Sequence, residues 1–162
     1  MKTASFTGHR PKDLKGYQAE DNKELLWRIR EVIIDHIENK NVTNFIQGCC
    51  IGVDLWSAKI VLKLKETYPH IRLISAIPCK AQFKMWNSYD KDLWEEVVNL
   101  SDEVIQVSDL EYAPYLMQKR NEYMVDNSDF LIAVYNGNEK GGTANCVKYA
   151  VKNLKEITQI KP

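Results

Sequence analysis

The segment Gly141, Gly142 and Thr143 has the composition and the position of an anion-binding turn. It follows an apolar run at residues 130–135 and precedes a helical pattern that extends over residues 147–154. A strand, a glycine turn and a helix N-terminus in this order present unpaired backbone N–H groups and the positive end of the helix dipole. Such a turn suits a phosphate or a carboxylate. The segment therefore predicts a site for a nucleotide-like anion.

Glycines and polar side chains also follow the other apolar runs, at the points where strands are expected to end. Because the carboxyl ends of parallel strands meet at one edge of a sheet, we expect these segments to form one composite site. We predict that the ligand is bound by residues from four segments: Thr7, Gly8, His9, Arg10, Gly48, Gly52, Asp54, Arg120, Asn121, Gly141, Gly142 and Thr143.

Most of these residues also have a purely structural interpretation. His9 and Arg10 are either solvated residues before a proline or donors to a phosphate. Gly48 and Gly52 either form simple helix caps or let the backbone approach a ligand. Asp54 lies in the first turn of a predicted helix, where a carboxylate is stabilising in any protein. A carboxylate that faces the crevice also accepts hydrogen bonds from ribose hydroxyls, so both interpretations of Asp54 stay open.

Arg120 and Asn121 share one face of a predicted helix with Met117 and Met124, which lie at helical spacing and are expected in the core. One interpretation is an arginine that extends along the packed face to reach solvent. The other is a guanidinium aimed into the crevice, where its planar fork grips a phosphate or carboxylate at two points. The sequence leaves both open.

The elements that must position these residues follow from the hydrophobic pattern. Short apolar runs alternate with amphipathic stretches, which is typical of βαβ units. The pattern predicts an α/β fold, a Rossmann-like three-layer α/β/α sandwich with a mostly parallel sheet, in one domain over residues 1–162. Strands are expected at residues 4–7, 44–47, 72–77, 103–107, 130–135 and 157–160. Helices are expected at residues 21–37, with Asp21 as the cap, and at 53–67, 83–99, 114–126 and 143–154.

Composition limits the class of partner. The chain has 22 Lys and Arg residues against 22 Asp and Glu residues, so no net positive charge attracts nucleic acid or an anionic membrane, and neither partner is expected.

The four cysteines contain no C-x-x-C pair, which argues against a metal site or a disulfide scaffold. The N-terminal residues lack the apolar core of a signal peptide. We expect a cytoplasmic protein without metal or cofactor, whose four tryptophans pack in helices rather than stack on bases.

Several segments together resemble a known superfamily. Residues 117–121, 128–134 and 141–143 resemble the Met-x-x-Arg-Lys, Ser-Asp-apolar strand and Gly-Gly-x-Gly-Thr-x-x-Glu motifs of the SMF/DprA/LOG, or SLOG, superfamily. Residues 7–11, 52–58 and 78–86 are similar to its YpsA-like branch. The resemblance covers nearly the whole chain. It implies a Rossmann-like fold that binds nucleotides or their derivatives at the strand ends identified above.

The resemblance brings three functions, and fold alone does not choose among them. LOG enzymes hydrolyse the N-glycosidic bond of nucleoside monophosphates, DprA proteins bind single-stranded DNA, and other SLOG domains sense nucleotide signals such as ADP-ribose derivatives. A homodimer, as in related LOG proteins, stays open.

Two departures from the motif bear on catalysis. Cys146 aligns with the catalytic Glu of LOG enzymes, and Asn121 replaces the Lys. A neutral thiol does not stabilise an oxocarbenium ion, and we expect Cys146 to be a small buried residue. The resemblance therefore favours sensing or sequestering of a nucleotide-derived molecule. A nucleotide N-glycosidase that uses Asp54 or Arg120 is the alternative, followed by DNA binding or a protein-interaction module.

Overall fold

Six strands form one sheet at the centre of the protein, whose computed structural model describes residues 1–162. In chain order they are β1 (Lys2–Gly8), β2 (Val42–Gln47), β3 (Arg72–Ile77), β4 (Glu103–Gln106), β5 (Phe130–Val134) and β6 (Glu156–Ile160). Their order across the sheet is β4-β3-β2-β1-β5-β6, and every neighbouring pair is parallel. The predicted α/β fold is confirmed, and the sheet is wholly rather than mostly parallel.

Five helices cover the two faces of this sheet. They are α1 (Lys23–Lys40), α2 (Val53–Leu64), α3 (Ser88–Leu100), α4 (Pro114–Asp126) and α5 (Gly142–Lys152). Helices α1, α2 and α3 contact one another in sequence, and α4 contacts α5. None of the helices combines the length and the apolar composition that crossing a bilayer requires.

Each strand contributes apolar side chains to both faces of the sheet, because successive side chains of a strand point to opposite sides. A separate hydrophobic core therefore forms on each face. In β5, Phe130 and Ile132 join the large cluster that packs under α1, α2 and α3. Leu131 and Ala133 of the same strand pack on the opposite face with Cys146 of α5. The two cores make the protein a three-layer α/β/α sandwich.

Two helices begin later than the sequence pattern predicts. Helix α1 begins at Lys23, and Asp21 lies in a short 3₁₀ helix (Ala19–Asn22), where its carboxylate accepts from the N–H of Gln18 at 3.2 Å. Asp21 therefore does not cap α1. Helix α3 begins at Ser88 rather than at residue 83, because the Asn87 side chain accepts from the N–H of Asp90 at 2.8 Å and caps the helix there. The residues before Asn87 form a turn instead.

The strand order places a topological switch point at β1. From β1 the chain continues to β2 on one side, and later returns to β5 on the other side. The connections that leave the carboxyl ends of β1 and β5 therefore diverge and open a crevice between them. The predicted site residues on both connections meet at this crevice.

Candidate functional site

A cleft of ≈ 380 Å³ lies at the carboxyl edge of the sheet, and we call it the polar cleft. Ten of the twelve predicted binding residues line it: Thr7, Gly8, His9, Arg10, Asp54, Arg120, Asn121, Gly141, Gly142 and Thr143. Nine further residues complete its lining: Phe6, Lys12, Asp13, Cys50, Ile51, Val53, Met117, Asn138 and Lys140. The two remaining predicted residues, Gly48 and Gly52, lie outside the lining.

The glycine turn brings the N-terminus of α5 to the polar cleft. Gly141 precedes the helix with φ 105°, a left-handed conformation that glycine adopts without strain. No side chain caps this end, and the first helical bond runs from the Asn145 N–H to the Gly141 carbonyl at 3.0 Å. Apart from the adjacent residues and the backbone of α5 itself, no atom lies within 4 Å of the place where a Cβ of Gly141 or Gly142 would stand. The first N–H groups of α5 are therefore available to a ligand.

The exit of β1 forms the opposite part of the cleft. Gly8 packs so closely against α2 that a Cβ there would lie 2.6 Å from the Cβ of Val53. The next residue, His9, accepts from the backbone N–H of Asn136 through its Nε2 at 3.0 Å. This bond ties the β1 exit to the loop after β5. The two loops that flank the switch point are thus held at a fixed spacing.

Arg120 reaches the base of the polar cleft from α4 and is only 3% exposed, so the interpretation of an arginine that extends to solvent is wrong. Its Nη1 donates to the carbonyl of Gly48, its Nε donates to Oδ1 of Asn121 at 3.0 Å, and its Nη2 donates to Sγ of Cys50 at 3.3 Å. The guanidinium therefore fastens the turn after β2 to α4 and also lines the cleft.

Gly48 and Gly52 support the cleft from behind. A Cβ at Gly48 would lie 2.5 Å from Nη1 of Arg120, so the glycine makes room for the guanidinium. Gly52 has φ 97° and directly precedes α2, where a Cβ would lie 2.9 Å from Cδ of Pro11. The positions of both glycines follow from packing between protein segments.

Asp54 places a buried carboxyl group in the lining of the polar cleft. It is 6% exposed, and its Oδ2 accepts from the N–H of Cys50 at 3.3 Å. Burial raises the pKa of Asp54, and the charge of Arg120 opposes this rise. Burial also disfavours the charged form of Arg120, but Cys50 and Asp54 outweigh it, so the pKa of Arg120 lies above its ordinary value. The cleft base thus holds one strongly basic and one weakened acidic group.

Comparison with known proteins identifies the family. The model of a family described as "YspA SLOG family" matches residues 4–162. The chain belongs to the YspA SLOG family. The resemblance to the SLOG superfamily and its YpsA-like branch, drawn from the motifs, is confirmed.

Relatives span most of the chain. It is 39% identical over 136 residues to the "Uncharacterized SPbeta prophage-derived protein YoqJ" of Bacillus subtilis, a match that covers 77% of this chain and 79% of the relative. It is 27% identical over 160 residues to the UPF0398 protein BH1768 of Halalkalibacterium halodurans, with 96% of this chain and 84% of the relative covered.

Two solved structures share the fold. DNA processing protein A from Helicobacter pylori is similar with a TM-score of 0.65 and 16% identity, over 99% of this chain and 66% of that chain. DNA processing protein A from Streptococcus pneumoniae is similar with a TM-score of 0.67 and 11% identity, over 100% of this chain and 51% of that chain. This chain thus spans between half and two thirds of their lengths. At such low identities the likeness shows a common fold.

Cys146, which aligns with the catalytic Glu of LOG enzymes, is buried in this SLOG protein. Its side chain is 0% exposed on the inner face of α5, as predicted. Burial raises the pKa of the Cys146 thiol to about 11. The thiol is therefore neutral at physiological pH and does not supply the negative charge of the missing carboxylate.

The sequence interpretation missed two lysines of the cleft. Lys12 and Lys140 line it beside the predicted residues Arg10 and Gly141. The sequence could have indicated these lysines, because basic side chains close to predicted phosphate-binding residues are candidates for contact with the phosphate. Together with Arg10, these lysines give the rim of the cleft a positive charge that suits an anion.

One of the four tryptophans does not follow the packing prediction. Trp56 is buried, and Trp94 and the half-buried Trp86 pack against the large core cluster, as expected. Trp27 is exposed on α1. Trp86 lies in the turn before α3 rather than in a helix, and it also lines a second pocket beside the polar cleft.

The raised pKa of Asp54 predicts a pH-dependent gain in stability from Asp54→Asn. Above the ordinary carboxyl value of 3.8, the unfolded chain releases a proton that folded Asp54 retains, so folding loses stability as pH rises from that value towards the folded pKa. Asparagine removes this loss. We expect Asp54→Asn to raise the melting temperature at pH 8 and to leave it unchanged near pH 3.

Asp102 provides a matched control, because its pKa is lowered rather than raised and its replacement should have the opposite effect on stability. Despite partial burial, which favours the neutral form, bonds from Lys65 at 2.6 Å and from the N–H of Leu73 at 2.8 Å lower the pKa of Asp102. Its contribution is present above the ordinary carboxyl pKa and is lost as pH falls. Asp102→Asn should therefore lower the melting temperature at pH 8, with a deficit that shrinks in acid. Equal pH profiles for the two variants would contradict this assignment.

Proposed function

We propose that this protein binds a nucleotide-derived small molecule in the polar cleft, as a sensor or a sequestering protein. The phosphate would lie against the first N–H groups of α5, at Gly141, Gly142 and Thr143. The ribose would lie near Asp54. An ADP-ribose-like compound is the example on which the tests below are based.

One observation carries this proposal: the uncapped N-terminus of α5 faces the same cleft as three exposed basic side chains. Arg10, Lys12 and Lys140 stand at this cleft, and they exceed in number the acidic side chains of its lining, Asp13 and Asp54. Helix N–H groups and cations together favour a phosphate more strongly than either does alone. A neutral ligand would leave both unsatisfied.

The base of the cleft supports recognition of a sugar. Asp54 is buried but lines the cleft, and a carboxylate in this position accepts hydrogen bonds from vicinal hydroxyls. Asn121 holds its side-chain oxygen on Nε of Arg120, which fixes the orientation of its amide. A rigid base of this kind lowers the entropic cost of binding.

The proposal is tested by identifying what the protein binds. Native purification followed by denaturation and mass spectrometry would reveal a retained ligand. A thermal-shift panel of nucleotides, ADP-ribose and cyclic nucleotides would follow, since a ligand of the native state raises the melting temperature by mass action. A stabilising nucleotide recovered intact supports the proposal. Absence of any retained ligand and of any shift would contradict it.

Gly142→Trp should abolish this binding without unfolding the protein. Open space surrounds the position, so the indole fits the fold but occupies the phosphate site. We expect the dissociation constant for ADP-ribose to rise by about 100-fold or more, which corresponds to about 2.7 kcal/mol, in isothermal titration calorimetry. Asn145→Trp is the matched control, because Asn145 is exposed on the same helix outside the cleft lining. Unchanged affinity in Gly142→Trp would refute the phosphate assignment.

A nucleotide N-glycosidase is the second candidate, and the buried carboxyl of Asp54 favours it. Because burial raises the pKa of Asp54, this group is better suited to donate a proton than an exposed carboxyl group. The reaction would release free base from a nucleoside monophosphate. Chromatography would detect the base, and its release should disappear in Asp54→Asn. If nucleoside monophosphates remain intact in the presence of the wild-type protein, this activity is excluded.

Single-stranded DNA binding is the remaining alternative. The Helicobacter pylori relative in fold is described as having a unique single-stranded DNA binding mode. The present chain has net charge zero, whereas binding along a nucleic-acid backbone depends on many cationic contacts. Salt-dependent binding of an oligonucleotide with higher affinity than ADP-ribose would favour DNA instead of a small molecule.

A further inference from the structure

A second pocket of ≈ 440 Å³ adjoins the polar cleft, and we call it the apolar pocket. Its apolar lining includes Tyr17, Ile51, Met85, Trp86, Tyr112 and Met117. The two cavities share five lining residues, namely Arg10, Lys12, Cys50, Ile51 and Met117. A single ligand that passes these shared residues would therefore occupy both.

The apolar pocket leaves large hydrophobic side chains in contact with solvent. Met85 is 91% exposed, Tyr112 is 62% exposed and Tyr17 is 47% exposed, although all three surround one concave surface. Single exposed hydrophobic residues are common, but a cluster around a concavity is characteristic of a binding site. The Tyr17 hydroxyl donates to Oδ2 of Asp90 at 2.6 Å, which holds its ring in place.

The buried polar side chain of the apolar pocket, Gln82, is held in place by hydrogen bonds. Gln82 is buried, and its Oε1 accepts from Nε1 of Trp94 at 3.0 Å. Its Nε2 therefore faces Gly48, to whose carbonyl it donates at 3.4 Å. Lys84 and Glu111 also line the pocket, and they offer one donor and one acceptor group. Aromatic surface with a few polar groups matches a flat heterocycle with a polar edge.

The residues that line both cavities supply positive charge, which would bind the group that links the two halves of such a ligand. Arg10 and Lys12 line both cavities, so a group between them would meet two cations. A diphosphate has the matching charge and connects a nucleoside to a second sugar. Its neighbours would be an apolar pocket on one side and a cleft with a buried carboxyl group on the other.

We propose that the apolar pocket binds the base of the same ligand whose sugar and phosphate lie in the polar cleft. The ligand class is thereby narrowed to nucleoside diphosphates that carry a second sugar or nucleoside. The diphosphate extends from the N-terminus of α5, where one phosphate lies as proposed above, to Arg10 and Lys12 in the wall that both cavities share. The base stacks among the aromatic side chains of the apolar pocket. This inference rests on the proposed function, since it requires a ligand in the polar cleft.

The test compares two probes by isothermal titration calorimetry: ADP-ribose, which has both halves, and ribose 5-phosphate, which has only the sugar and phosphate. The double variant Met85→Ala/Tyr112→Ala removes two exposed side chains that line the apolar pocket and should not affect folding. We expect its dissociation constant for ADP-ribose to rise by about 10-fold or more, the size of one base–aromatic contact, while that for ribose 5-phosphate changes less than about twofold.

The matched control is Tyr115→Ala/Val151→Ala, which removes two side chains that are exposed but line neither cavity. It should bind both probes like the wild-type protein. Equal affinity of wild type and Met85→Ala/Tyr112→Ala for ADP-ribose overturns the base assignment but leaves the proposed function intact. Failure of wild type to bind either probe overturns both.

Discussion

Replacing Arg120 by methionine should destabilise the protein by about 3 kcal/mol or more, because a buried carboxyl group and two buried acceptors lose their cation. Methionine keeps the length of the aliphatic stem but none of the donors to Gly48, Asn121 and Cys50. In a protein of this size, the loss corresponds to a decrease of roughly 6–12 °C in melting temperature. Differential scanning calorimetry would measure it.

The deficit of Arg120→Met should depend on pH through Asp54. The charge of Arg120 opposes the rise in the pKa of Asp54, so its removal raises that pKa further. The folded state then retains its proton over a wider range, and stability falls more steeply as pH rises above the ordinary carboxyl value. We therefore expect a larger deficit at pH 8 than at pH 4.

A double-mutant cycle separates this charge effect from the lost hydrogen bonds. Asp54→Asn/Arg120→Met removes both charges and should be less destabilised at pH 8 than Arg120→Met alone. Arg120→Lys, which keeps the charge but loses the planar fork, should be intermediate. If the double variant shows the sum of the two single effects at every pH, Asp54 and Arg120 are not coupled.

The sequence predicted the edge of the sheet at which the site lies, because strand ends and glycine turns are local features. Thr7 and Gly8 follow an apolar run directly, as Gly141 and Gly142 follow another. The rules of parallel sheets then place these segments side by side. Ten of the twelve predicted residues accordingly line one cleft.

The roles of Gly48 and Arg120 could not be predicted in this way. They are separated by 72 residues, and their contact depends on how α4 packs beneath the turn after β2. Helical spacing gave the face on which Arg120 lies but not the acceptors that its guanidinium meets. The apolar pocket was missed for a related reason, since Trp86 was assigned to a helix that begins only after Asn87.

The distinction between a ligand contact and a structural contact can be tested at Gly48, where alanine should act entirely through Arg120. A Cβ at this position would lie 2.5 Å from Nη1, 2.6 Å from Cζ and 2.7 Å from Nε of Arg120, a side chain held by three hydrogen bonds. Gly48→Ala must displace the guanidinium and should cost about 1–3 kcal/mol, as other overpacked substitutions do.

In an Arg120→Ala background the three atoms nearest to the Gly48 Cβ position are absent, so the same Gly48→Ala substitution should cost less than about 0.5 kcal/mol, measured by urea denaturation. Gly142→Ala is the matched control in the wild-type background, since no atom outside the adjacent residues and its own helix backbone lies within 4 Å of its Cβ position, and its φ is not left-handed. It should change stability by less than about 0.5 kcal/mol. A full cost of Gly48→Ala in the absence of Arg120 would instead assign Gly48 a requirement of its own backbone. If the cost of Gly48→Ala disappears when Arg120 is absent, Gly48 is needed because Arg120 must reach the base of the cleft.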